Sequence, residues 1–182
     1  MHKLLTIQKR EDVPEKFRDT PVGDLLIYHN TSAPHREYDR AELLIGMCMD
    51  NRKVLGIPDK FAYVIRAAGA NLRYSEFNVS YAIAVGGVEH IALVGHTHCG
   101  MVNLNSQSEQ FIKGLCEHAG WTAEQAEEQF LHTAPLYEIG QETNFILGET
   151  KRLSQRYPKV KVAPLLYQVE DNRLYWVTDS LA

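Results

Sequence analysis

The stretch 61–95, FAYVIRAAGANLRYSEFNVSYAIAVGGVEHIALVG, decides the fold. It opens on the apolar run Phe61-Ala62-Tyr63-Val64-Ile65 and closes on Ile91-Ala92-Leu93-Val94. Between them Ser75 stands where a helix N-cap belongs, and Phe77, Tyr81, Ala84 and Val85 recur at helical spacing, the pattern of a core-facing stripe. Gly86-Gly87 stops that helix just before the second run. Strand, helix and strand in this span form a βαβ unit. The apolar runs are continuous rather than alternating, which predicts strands buried on both faces, as in a parallel sheet.

The same signals continue on either side. Leu43-Leu44-Ile45-Gly46-Met47-Cys48 is a further continuous run, and Val160 to Val169 is another, broken by Pro164. Helical stretches run from about Ser106 to His118, from the capping box Thr122-x-x-Gln125, and from about Gln141 to Tyr157, where Pro158 ends the helix. Leu165–Val169 and Leu174–Val177 pair across Glu170-Asp171-Asn172-Arg173 as a hairpin. Residues 1–40 carry Pro14, Pro21 and Pro34 and read as an N-terminal arm with one short helix near Val22–His29. No repeat or Gly/Ser-rich linker divides the chain. The expectation is a single α/β domain over 1–182, with an arm (1–40) and a core (41–182). Its core is a mainly parallel β-sheet flanked by helices, with a C-terminal hairpin strand.

Composition excludes several classes. With 182 residues, 45% hydrophobic and 23% charged, the chain is globular and not disordered or collagenous. A net charge of −4 lacks the electrostatic footprint of a general nucleic-acid binder. No apolar run reaches the roughly 18 residues of a membrane span. Met1–Arg10 holds too short an apolar stretch for a signal peptide. Three cysteines, an odd number, do not make a disulfide framework. A reducing cytoplasm is therefore expected.

In a parallel α/β sheet, ligands bind beyond the carboxyl ends of the strands. Two segments emerge there: Cys48-Met49-Asp50-Asn51-Arg52 and Gly95-His96-Thr97-His98-Cys99-Gly100. If their strands are close neighbours, Cys48, His96 and Cys99 converge. Two thiolates and an imidazole suit zinc, and three protein ligands leave the fourth position open, as catalytic sites do. A water there is acidified toward neutrality and becomes a nucleophile. Asp50 and Arg52 complete the constellation: a bidentate arginine keeps the carboxylate ionised and able to orient that water. If the pair breaks, Asp50 can swing onto the metal and close the site. H-x-x-C or C-x-D-x-R alone is a weak signal; together, at the ends of two strands of one sheet, they are a strong one. Cys116, beside Leu115 on a helix, reads as inert core. His98 reads as a solvent-side or packed residue. The remaining histidines carry no motif.

The sequence resembles the β-class carbonic anhydrases of the short prokaryotic kind. The family pattern C-x-D-x-R followed by H-x-x-C is present as Cys48-Met49-Asp50-Asn51-Arg52 and His96-Thr97-His98-Cys99, with Val64-Ile65-Arg66-Ala67-Ala68-Gly69 between them and Gly100 after. The likeness is close over about 40–105 and looser through the terminal hairpin. It implies zinc on Cys48, His96 and Cys99, an orienting dyad of Asp50 and Arg52, and hydration of CO2 to bicarbonate. It also implies a homodimer or an assembly of dimers, with a pocket lined from both subunits. Two features depart from the pattern. Ala67 stands where many members have Asn, and no clear match exists for the family's N-terminal helices. Carbonyl sulfide and carbon disulfide are rival substrates for the same scaffold. A non-catalytic zinc module and a thiol-redox protein are the other readings, the latter opposed by the absence of C-x-x-C.

Overall fold

The computed structural model describes residues 2–179. In chain order its strands are β1 (Lys3–Thr6), β2 (Leu43–Cys48), β3 (Ala62–Ala67), β4 (His90–His96), β5 (Lys161–Gln168) and β6 (Arg173–Thr178). Its helices are α1 (Glu15–Arg18), α2 (Pro21–Thr31), α3 (Glu76–Ala84), α4 (Ser108–Ala119), α5 (Ala123–Tyr137) and α6 (Glu142–Arg156). The strands form one sheet in the order β1-β6-β5-β4-β2-β3. The four inner-to-edge strands β5, β4, β2 and β3 are parallel, and β6 and β1 add antiparallel at the other side. This is the expected mainly parallel sheet with a C-terminal hairpin, Leu165 facing Trp176 and Gln168 facing Arg173.

The sheet is covered on both faces. Alternate residues of the central strands (Ile45, Met47, Ala92, Val94, Ala163, Leu165) pack against Phe17 of α1 and Val22, Leu25 and Leu26 of α2. The residues between them (Leu44, Ile91, Leu93, Val162) pack against Val79 and Ala82 of α3 and Ile146 and Leu153 of α6. Each fully buried aliphatic side chain contributes about 1.5–3 kcal/mol by leaving water. Glycines let the second layer come close: a Cβ at Gly46 would lie 2.6 Å from Leu72 Cδ1, and one at Gly95 2.6 Å from Ile146 Cγ1. Pro164 does not break β5. The ladder to β6 ends at Leu165, one residue short of the proline, which has no N–H to give.

Several expectations need correction. β3 and β4 do belong to one parallel sheet, but β2 lies between them, so the 61–95 unit is a crossover that skips a strand. β3 is therefore an edge strand and is not buried on both faces: Tyr63 and Val64 are exposed. The helix stripe is also reversed. Phe77, Tyr81, Ala84 and Val85 face outward, whereas Val79 and Ala82 enter the core. Residues in the expected arm add strand β1 to the sheet and bury α2 in the core. Cys116 is only half-buried, on a helix that buries no residue, and is not core. α4 packs on α5 instead, with Phe111 and Phe130 rings 5.2 Å apart. Among the described residues no helix is long and apolar enough to cross a membrane.

Candidate metal centre

β2 and β4 are adjacent and parallel, with Met47 opposite Val94, so their carboxyl ends deliver Cys48 and His96 to the same edge of the sheet. Cys99 returns on the turn after β4. That turn needs a left-handed residue, and His98 supplies it at φ 54°. One ligand atom each from Cys48, His96 and Cys99 lie within 4.8 Å of one another, and all three residues are buried. The sulfurs are 4.0 Å apart, and both thiols are free. Tetrahedral Zn–S bonds of about 2.3 Å place two sulfurs about 3.8 Å apart, so the spacing fits a metal and not a disulfide.

The imidazole adds a second test of fit. His96 Nδ1 lies 2.9 Å from the Thr97 carbonyl oxygen. A carbonyl only accepts, so Nδ1 carries the proton and Nε2 the lone pair. Nε2 is buried and has no hydrogen-bond partner. A buried, unpaired acceptor beside two cysteine sulfurs is a donor set that suits a metal ion of the zinc type. The contact with the Cys99 sulfur holds Cys48 well below the usual thiol range, helped against burial by the N–H groups of Asp50 and Gly69. Cys99 is pushed up by the same contact and by burial.

Asp50 and Arg52 sit beside this triad. Arg52 donates from Nε to Asp50 Oδ1 at 3.0 Å and from Nη2 to Oδ2 at 2.6 Å, a bidentate pair. The Arg52 backbone N–H also reaches Oδ1 at 2.9 Å. These contacts, the side chain first, hold the Asp50 carboxyl well below the usual carboxylate range. Arg52 Nη2 further donates to the His98 carbonyl at 2.9 Å, tying the two loops together. Asp50 Oδ2 stands 4.0 Å from His96 Nε2. The carboxylate thus faces the space in front of the imidazole lone pair. His98 is exposed and pairs with Glu170, which also accepts from Thr97 Oγ1 at 2.8 Å.

Three features of the site carried no sequence signal strong enough to single them out. Lys53, directly after Arg52, is only 1% exposed, and its Nζ donates to the Asp50 carbonyl at 3.1 Å. Arg66 braces the same loop, donating to the Asp50 carbonyl at 3.3 Å and the Lys53 carbonyl at 3.2 Å. The backbone N–H groups of Gly69 and Met101 serve the two sulfurs. Gly69 has φ 63°, and a Cβ there would strike Ile139. Ala67 pairs in register with Cys48 and is half-buried. Next to this wall, an apolar cavity of about 230 Å³ is lined by Ala68, Met101, Leu104, Phe111, Phe130 and Tyr137, among others.

A family model described as carbonic anhydrase matches residues 44–172. Solved structures share the fold at low identity. The β-carbonic anhydrase isoform I of Trichomonas vaginalis is 20% identical, covers 84% of this chain and 92% of its own, and superimposes with a TM-score of 0.60. The carbonic anhydrase of Glaciozyma antarctica is 19% identical, with 75% and 83% coverage and a TM-score of 0.60. A carbon disulfide hydrolase in its apo form is 19% identical, with 84% coverage of both chains and a TM-score of 0.53. No curated protein matches this chain in sequence. The matched span includes both site loops and four of the six strands, β2 to β5, and on that extent the chain belongs to the β-class carbonic anhydrase family.

Proposed function

We propose that the chain is a zinc lyase that hydrates CO2 reversibly to bicarbonate and a proton, with Cys48, His96 and Cys99 as the metal ligands. The observation that carries this reading is the convergence of two sulfurs and an unpaired imidazole nitrogen beside an arginine-held carboxylate. Zinc, when bound, supplies an acidified water as nucleophile and an electrophilic charge at the reacting oxygen. The chain's residues do the rest. Asp50 offers Oδ2 as a hydrogen-bond acceptor and so orients the attacking oxygen. Its carboxyl lies well below the usual range, so it accepts that bond without keeping the proton, which leaves to solvent and buffer. Arg52 fixes the acceptor from the far side, and His96 keeps its tautomer through Thr97.

Stopped-flow CO2 hydration by zinc-loaded protein near pH 8.5 tests the reading. A rate that rises with zinc content, well above buffer, is expected. Full zinc occupancy with no rate overturns it and turns attention to hydrolysis of carbon disulfide or carbonyl sulfide. That second reading draws on the carbon disulfide hydrolase neighbour and the apolar cavity beside the site. Sulfide release from carbon disulfide is its assay.

We also assign a self-association surface. Tyr63 and Val64 on β3, with Phe77, Tyr81 and Val85 on α3, leave a run of large apolar side chains in water. A homodimer through this face covers the edge strand and, in this family, completes the pocket. Phe77→Asp with Tyr81→Asp is expected to halve the mass seen by light scattering without unfolding the chain, because neither side chain enters the core. An unchanged dimer moves the interface elsewhere. The three free cysteines suit a reducing compartment, and we place the protein in the cytoplasm.

A further inference from the structure

Among the described residues, Lys53 is the one buried cation beside the proposed metal centre that the mechanism above does not use. Its side chain is fully enclosed, yet Nζ has one close polar partner, the Asp50 carbonyl at 3.1 Å. The Asp50 carboxylate is 3.7 Å away at Oδ1. A buried ammonium is costly unless an anion compensates it. Asp50 cannot be that anion alone, because Arg52 already holds it through both oxygens. One carboxylate faces two cations, and a positive charge is left over.

The remaining charges show where the surplus is matched. Two thiolates and a divalent zinc sum to zero. Arg66 is exposed and spends its donors on the carbonyls of Cys48, Asp50 and Lys53. His98 and Glu170 pair with each other on the surface. The enclosed charge of Lys53 therefore reaches, through the Asp50 carboxylate that borders His96 Nε2, a centre that would be neutral with zinc on two thiolates.

We propose that Lys53 is the fixed counter-charge of this metal centre, the group that allows a neutral dithiolate site to hold a small monovalent anion of the hydroxide or bicarbonate class in its fourth position. This rests on the reading that Cys48, His96 and Cys99 bind the metal. Lys53 touches neither metal nor substrate and is a positioning residue in the electrostatic sense. Burial is what gives it leverage, since an enclosed charge is poorly screened by salt, whereas an exposed arginine is well screened.

The test uses the full chain loaded with cobalt(II), whose visible bands report the fourth ligand, titrated with azide. Wild type is expected to bind azide saturably. Lys53→Met, which keeps the length and removes the charge, is expected to bind at least about tenfold more weakly, or about 1.4 kcal/mol. Lys53→Arg is expected to recover most of the loss, which a packing role alone does not predict. Equal azide affinity in Lys53→Met and wild type overturns the proposal while leaving the metal site intact. Wild-type protein that takes up no cobalt overturns the metal reading and the proposal with it. Should Lys53→Met not fold, wild type still decides the question. Raising a salt of a non-coordinating anion from about 0.01 to 1 M, which shortens the Debye length from about 30 to 3 Å, is expected to change azide affinity less than threefold. A loss of tenfold or more assigns the role to the exposed Arg52 instead.

Discussion

Replacing Cys99 with serine is expected to strip the protein of stoichiometric zinc and of about 10³-fold or more of its CO2 hydration. A serine hydroxyl is not ionised near neutrality, so it offers zinc neither the charge nor the soft sulfur that a thiolate does. The two sulfurs stand 4.0 Å apart, a spacing that only a shared ion turns to advantage, and losing one leaves a two-ligand site. Without metal the water of the open position loses its acidity, and that acidity supplies the nucleophile. Cys48→Ser and His96→Ala are expected to behave alike. His96→Ala also removes a side chain that is 1% exposed at the end of a central strand, and it lowers thermal stability further by leaving a void. A metal that binds the folded chain and not the unfolded one stabilises it, so wild type is expected to gain thermal stability with zinc and all three variants to lose that gain. Metal content by atomic emission, thermal unfolding with and without zinc, and stopped-flow hydration measure the three effects. A serine variant that keeps one zinc per chain at wild-type rate would falsify the ligand assignment.

Asp50→Asn separates orientation from metal binding. The carboxylate oxygens take the Arg52 donors at 2.6–3.2 Å, and Asp50 Oδ2 stands 4.0 Å from the imidazole nitrogen. An amide keeps one acceptor and puts an NH2 in place of the other oxygen. Either the NH2 meets the arginine donors and the pair opens, or it meets the attacking oxygen and donates where an acceptor is needed. Zinc is expected to stay bound, since Asp50 is not among the three proposed ligands, while turnover falls about 10²-fold. Wild-type zinc content with a fall confined to the hydration rate is the signature. An Asp50→Asn protein at wild-type rate removes the orienting role from the dyad.

The proposed ligand residues stand out in the sequence because they sit where two local signals coincide. C-x-D-x-R and H-x-x-C each follow a continuous apolar run directly, and a buried parallel strand must end at the sheet edge where ligands bind. Asp50 and Arg52 are two residues apart, so their pairing needs only the turn that the Arg52 N–H closes onto Oδ1. Helix ends followed similar local rules. The Thr122–Gln125 capping box forms as expected, with hydrogen bonds in both directions. Ser75 does precede α3, though its side chain makes no cap bond.

The failures share a cause as well. Phe77, Tyr81 and Val85 repeat at helical spacing, yet the spacing says only that one side of α3 is apolar, not which side meets the sheet. β3 has the same apolar run as the inner strands, but it became an edge because β2 took the place beside β4. Lys53 reads as a surface lysine from its neighbours in the chain. Its burial comes from the closing of the 48–53 loop beneath Arg66, thirteen residues on.

The local matters could be read along the chain: where most strands and helices of residues 41–182 lie, and which cysteines and histidine stand at or just after strand ends next to an acid–base pair. Those follow from side-chain chemistry and periodicity within a few residues. Tertiary structure alone decided the order of the strands, the covering of each face, the joining of the 1–40 segment to the sheet, the apolar face left open on β3 and α3, and the enclosed charge of Lys53. Burial is the physical reason. It depends on what residues distant in the chain bring against a surface, and no repeat read along the chain carries that information.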